Sequence, residues 1–222
     1  KAGKCPIEFG GKQIVYKLHE AHSYSNAGRS FTEMYTVLAR KNCVHDSLVT
    51  IGIYYDEEPK TQTENDENAS SKCRYIVGVL LSDDDHDQLQ SRTRRALSEN
   101  GYKLATLPNV DHVVHSTFPF RGSVSIVVAV RRVYPLLDDF IKRHNLCAHP
   151  YIEIYKGDKI YFILPLAKQD QFYFCEEDEV SDEHSEANSS QNGSCDEQAK
   201  DKQSVNDKNN GQSGSTISSQ SS

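Results

Sequence analysis

Tryptophan is absent from the 222 residues, and methionine occurs once, at Met34. No apolar run is long enough to span a bilayer as a helix, and no stretch has the layout of a secretory signal. The chain also lacks an initiator methionine, which sets the expectation that a segment ahead of Lys1 has been removed. Six cysteines (5, 43, 73, 147, 175 and 195) include no Cys-x-x-Cys pair. An even count is compatible with disulfides. A chain of this length can nevertheless bury a core without them, and reduced thiols facing a cytosol are the favoured reading. Asn-x-Ser triplets at Asn68, Asn188 and Asn192 fall in polar, low-complexity segments where they arise by chance.

A broad positive field is missing too. The formal charge is −7, but residues 176–222 hold 11 acidic and 3 basic side chains, leaving 21 acids against 22 bases in 1–175. The folded part is therefore near neutral, which speaks against direct nucleic-acid binding. Residues 176–222 contain no aromatic side chain and few aliphatic ones, the composition of a disordered tail.

What is present is best seen in residues 131–167, RRVYPLLDDFIKRHNLCAHPYIEIYKGDKIYFILPLA. Val133, Leu137, Phe140, Ile141 and His144 recur at spacings of three and four, which predicts a helix. Asn145 and Pro150 end it. In YIEIY, Ile152 and Ile154 take one face and Tyr151, Glu153 and Tyr155 the other. Lys156-Gly157-Asp158 has turn chemistry, and Ile160, Phe162 and Leu164 alternate beyond it, predicting a hairpin. The isoleucine face reads as core, and the Tyr-Glu-Tyr face as a recognition surface.

Residues 1–12 read as a lead-in. Strands are expected at 13–18, 48–55, 73–81, 102–107 and 110–118. Residues 22–29 suit a loop, and a short helix over 30–40 carries Phe31, Met34, Tyr35 and Leu38 with Ser30 as N-cap. Residues 56–72, acidic and almost without apolar side chains, read as a flexible insertion. The acidic run 82–87 favours a helix start, with Leu89, Thr93, Ala96 and Leu97 as its stripe and Gly101 as its stop. Residues 123–144 read as one helix strained at Pro135, despite a β-branched start.

An internal repeat ties these elements together. IGIYYD (51–56) matches IEIYKG (152–157); each follows a helix and leads into an apolar strand, RYIVGVLL or IYFILPLA. A strand with histidine and an aromatic stands ahead of each helix. Two strand–helix–strand–strand units predict an α+β domain over 13–175, an antiparallel sheet with helices on one face, followed by the tail at 176–222. Gly52 stands where the second copy has Glu153, so a groove between the copies would carry one carboxylate.

The motifs YKLH (16–19), GRSFTE (28–33), IYYD (53–56), KCRYIVG (72–78), HVVHSTFPF (112–120), RRVYPLLDDFIK (131–142), LCAHPYIEIY (146–155) and ILPLAKQDQFY (163–173) occur in one order across the folded part. On them the chain resembles the testis-expressed protein 264 family. The resemblance implies a GyrI-like domain in a single-pass endoplasmic-reticulum protein that faces the cytosol and serves as a receptor for selective autophagy of the reticulum. It further implies a role at the nuclear periphery, recruiting a hexameric ubiquitin-selective unfoldase and a DNA-dependent protease to DNA–protein crosslinks. A missing N-terminal segment would hold the membrane. Binding to autophagy ubiquitin-like modifiers would need an aromatic followed three residues later by an aliphatic, and 176–222 has no aromatic. The spaced pairs Phe31–Met34, Tyr35–Leu38, Tyr151–Ile154 and Tyr161–Leu164 all fall in helix or strand. The motif is therefore expected beyond Ser222.

Tyr54, Tyr151, Glu153 and Tyr155 form the candidate ligand groove. A carboxylate beside aromatic faces suits a cation. The competing reading is an ordinary edge of amphipathic tyrosines. Glu153 has no evident partner for acid–base work, so no catalytic residue and no cofactor is assigned, although a residual hydrolase is an alternative. His112 and His115 are three apart in a strand and point to opposite faces, as His19 and His22 would, so no metal site is assigned. Arg131 and Arg132 read as a solvated helix face.

Overall fold

Alternating β-branched and aromatic residues build the strands, and the computed structural model, which describes residues 1–56, 72–82 and 88–173, joins them into one sheet. The strands are β1 (Ala2–Lys4), β2 (Gln13–Ala21), β3 (Val49–Tyr54), β4 (Cys73–Leu80), β5 (Lys103–Thr106), β6 (His112–Pro119), β7 (Tyr151–Lys156) and β8 (Lys159–Pro165). The helices are α1 (Ala27–Arg40), α2 (Gln88–Ser98) and α3 (Ser123–Arg143). Every ladder is antiparallel, in the order β1-β6-β8-β7-β3-β4-β2-β5. No helix among the described residues is long and apolar enough to cross a membrane.

The two units read from the repeat are β2-α1-β3-β4 and β6-α3-β7-β8. They meet where β3 pairs with β7. Ile51 faces Ile154, Ile53 faces Ile152, and Gly52 faces Glu153 between them. The isoleucines exchange places across the ladder, so a pseudo-two-fold axis passes through the Gly52–Glu153 pair.

One face of the sheet lies under the helices. Val15, Tyr75, Val77 and Val79 pack with Met34 and Leu38 of α1 and Ala96 and Leu97 of α2. Val114, Tyr155, Phe162 and Leu164 pack with Ala129, Val133 and Leu137 of α3. The other face carries the isoleucines of β3, β4 and β7, and no helix covers it. Ile7, Phe9, Leu107 and Phe172 close it instead. At about 25 cal/mol per Å² of apolar area, burying both faces is what stabilises so open a sheet.

Some expectations need correction. Residues 1–12 are part of the domain: β1 pairs with β6, and Ile7 and Phe9 are buried. Residues 22–29 are no plain loop, because a 3-10 turn at Tyr24–Asn26 runs directly into α1 at Ala27. Ser30 lies inside α1 rather than at its start, where its hydroxyl meets that of Tyr75 at 3.0 Å. That bond satisfies a buried serine that would otherwise favour a cap. α3 runs unbroken through Pro135, as read from the sequence, at the cost of one backbone bond.

The insertion expected over 56–72 lies outside the described residues except at its rim, where Asp56 is bound by Arg74. Its carboxylate accepts the Arg74 backbone N–H at 2.7 Å and the guanidinium at 3.1 and 2.9 Å. The acidic run after Ser82 and the tail expected over 176–222 also lie outside the described residues.

Candidate functional site

β7 turns Tyr151, Glu153 and Tyr155 toward the helices, because side chains two apart share a face. Glu153 is only 3 % exposed. Its Oε2 accepts hydrogen bonds from the Tyr155 hydroxyl at 2.6 Å and the Tyr54 hydroxyl at 3.2 Å. Its Oε1 accepts one from the Tyr134 hydroxyl, on α3, at 2.6 Å. Three elements thus converge on one carboxylate: β7 itself, the neighbouring β3 and the covering helix.

Gly52 makes the convergence possible. A Cβ there would lie 3.0 Å from the Tyr54 hydroxyl and 3.2 Å from its ring. The absent side chain leaves room for Tyr54 to fold across the ladder toward Glu153. Aromatic contacts wall the group in. Phe31 and Phe120 meet Tyr155 edge to face, with centroids at 5.4 and 5.6 Å. Tyr134 stands edge-on to Phe162 at 5.6 Å, and Tyr24 to Tyr54 at 4.9 Å.

Burial raises the Glu153 carboxyl pKa above its ordinary value, while the three hydroxyl donors pull it partly back. Burial and the nearby carboxylate together push the hydroxyls of Tyr54, Tyr134 and Tyr155 far up, so they remain protonated donors. A carboxylate filled by phenol donors and walled by rings can hold a proton and tie elements together. It offers no nucleophile and no open face.

Of the four candidate residues, Tyr54, Glu153 and Tyr155 meet. Tyr151 does not join them; its hydroxyl is bonded to Asp138 of α3. The open cation groove expected around Glu153 is therefore closed, because the tyrosine hydroxyls turn inward and α3 covers them. Tyr134 was missed in the sequence, and its signal is a tyrosine flanking the Val133–Leu137 stripe of α3. His112 is exposed and His115 buried on β6, as their spacing predicts. The spaced aromatic–aliphatic pairs lie in α1, β7 and β8. A separate groove of about 470 Å³ opens elsewhere, between Ile7 and Glu8 of the N-terminal segment and Lys156 and Lys159 of the β7–β8 hairpin.

No family model matches the chain. It is 37 % identical over 172 residues to the testis-expressed protein 264 homolog of Mus musculus, a match covering 78 % of this chain and 50 % of that protein. Testis-expressed protein 264 of Homo sapiens is 36 % identical over 172 residues, 78 % of this chain and 49 % of its own length. The chain thus spans about half the length of these curated relatives. Among solved structures, an uncharacterized conserved protein from Listeria innocua aligns with a TM-score of 0.41 at 10 % identity, over 74 % of this chain and 91 % of that one. A hydrolase from Listeria innocua aligns at 0.40 and 12 %, over 75 % and 92 %. Likeness at this level carries no argument about activity.

Proposed function

Because the chain belongs to the testis-expressed protein 264 family, we propose that it is the cytosol-facing part of a single-pass endoplasmic-reticulum receptor for selective autophagy of the reticulum, with its βαββ duplication read as a GyrI-like domain. In this reading the domain is an adaptor and not an enzyme. A membrane segment ahead of Lys1 anchors it, and a motif beyond Ser222 engages autophagy ubiquitin-like modifiers. At the nuclear periphery the same adaptor recruits the ubiquitin-selective unfoldase and the DNA-dependent protease to DNA–protein crosslinks.

The observation that carries the choice of adaptor over small-molecule module is the closure of Glu153 by three hydroxyl donors under α3. A ligand cation would have to displace those bonds and the aromatic wall, at about 1–3 kcal/mol for each buried group left unpaired. Partners that use the outer surface face no such cost. The test is a pull-down of autophagy modifiers by the full-length protein, with and without the residues beyond Ser222. Binding lost with that segment supports the receptor reading; absence of binding in both forms counts against it.

A further inference from the structure

Seven large hydrophobic side chains stand exposed among the described residues, and four of them are on α3: Val124, Val127, Val130 and Leu136. Single exposed hydrophobics are ordinary, but four on one helix form a patch. Val124, the most exposed, is 77 % accessible. The three valines follow one another in steps of three through the first half of the helix, on the side away from Ala129, Val133 and Leu137. Nothing in the local fold requires β-branched apolar residues there, since β-branching lowers helix propensity and exposure contributes no burial.

The charge around the patch has one sign. Arg121, Arg131 and Arg132 are exposed, and residues 112–137 contain no acid. Among the described residues the arginine ion pairs are Arg74–Asp56, Arg95–Glu99 and Arg143–Asp139, which leaves these three without a carboxylate partner. The acids that follow are engaged: Asp138 by Tyr151, and Asp139 by Arg143. A helix that offers valines with unpaired arginines at both ends of the run has the chemistry of an interfacial helix.

We propose that the outer face of α3 docks on an anionic lipid surface, with Val124, Val127 and Val130 entering the headgroup–acyl boundary and Arg121, Arg131 and Arg132 contacting phosphates. Shape and charge favour this occupant over others. The face is a convex helix ridge, which a fluid bilayer accepts without a matched groove. A second copy packed on the same patch about a two-fold would set arginines against arginines. Arginine stems cover apolar surface while their heads stay at phosphate level, so both parts of the patch are used at once.

Vesicle flotation with the 222-residue chain tests the proposal, using phosphatidylcholine vesicles with and without phosphatidylserine. The wild type is expected to float with the serine-containing vesicles, and to lose binding as salt is raised. Each of Arg131→Ala and Arg132→Ala should weaken that binding about fivefold. Val127→Glu should reduce it further, with an unchanged thermal melt because the site is exposed. A wild type that does not float, or variants that float equally well, would overturn the proposal. Failure to float together with Arg131-dependent capture of an acidic peptide would assign the face to a protein instead.

Discussion

Gly52 faces Glu153 directly across the β3–β7 ladder, and the missing side chain of the one gives Tyr54 its path to the carboxylate of the other. The duplicated units differ at the point where they touch. A second carboxylate there would bury two like charges together, whereas glycine admits a donor.

Gly52→Ala is therefore expected to push the Tyr54 ring away and lengthen its bond to Glu153. The cost should be about 1–2 kcal/mol, as for overpacking one methyl group in a filled site. Urea denaturation reads it directly, and an unchanged midpoint would mean that Tyr54 can shift freely.

Glu153 supports three hydroxyls, so the replacement matters more than the loss of charge. Glu153→Gln keeps one acceptor oxygen, lets hydroxyls rotate to accept from the amide, and should cost about 1 kcal/mol. Glu153→Leu leaves three donors without an acceptor and should cost about 3 kcal/mol or more, partly offset by removal of a buried charge. Equal stabilities for the two variants would contradict this account of the node.

The same carboxyl predicts a pH dependence. Burial raises its pKa in the folded state above the unfolded value, so the folded protein binds the proton more readily. Its contribution is fully present below the ordinary carboxylate pKa and lost as pH rises through the raised value. Relative to Glu153→Gln, the wild type should gain stability as pH falls from neutral toward the ordinary carboxylate range. A wild type that loses ground to the variant over that window would reverse the sign.

Asp56 behaves oppositely. Burial alone would raise its pKa, but the Arg74 guanidinium and backbone N–H outweigh burial and hold it below the ordinary range. Its contribution is present above the unfolded pKa and lost as pH falls through the depressed one. Asp56→Asn should cost about 1 kcal/mol at neutral pH, since the pair is partly exposed, and the gap to the wild type should close in acid. A gap that stays constant with pH would sink the prediction.

The sequence is informative where one physical signal governs and silent where two compete. The order of elements, the duplication and the continuity of α3 through Pro135 all follow from spacing. Which faces are buried does not, because β3 and β7 are covered on both sides. Ile152–Ile154 and Tyr151–Glu153–Tyr155 looked like inside and outside, yet the second set lies beneath a helix whose Tyr134 supplies the decisive donor. A residue's partner from another element is invisible to a period of two.

Register was equally hidden. Ile53 faces Ile76, while its counterpart Ile154 faces Tyr161, so Tyr75 corresponds to Ile160 and not to Tyr161. Laying RYIVGVLL over IYFILPLA, tyrosine on tyrosine, is one residue out of step, enough to turn every side chain to the wrong face. In the N-terminal segment, Ile7 and Phe9 lacked a longer pattern to mark them as core, since they complete the sheet's second face from an irregular stretch.

The most direct test compares three forms of the full-length protein in one pull-down: wild type, Glu153→Gln, and a truncation after Ser222. Autophagy modifiers and the unfoldase are the partners followed, with a thermal melt as the folding control. The account predicts that Glu153→Gln retains both partners and that truncation loses the modifiers. Loss of both partners by folded Glu153→Gln, with modifier binding intact in the truncated form, would contradict it and make the Glu153 node the working site.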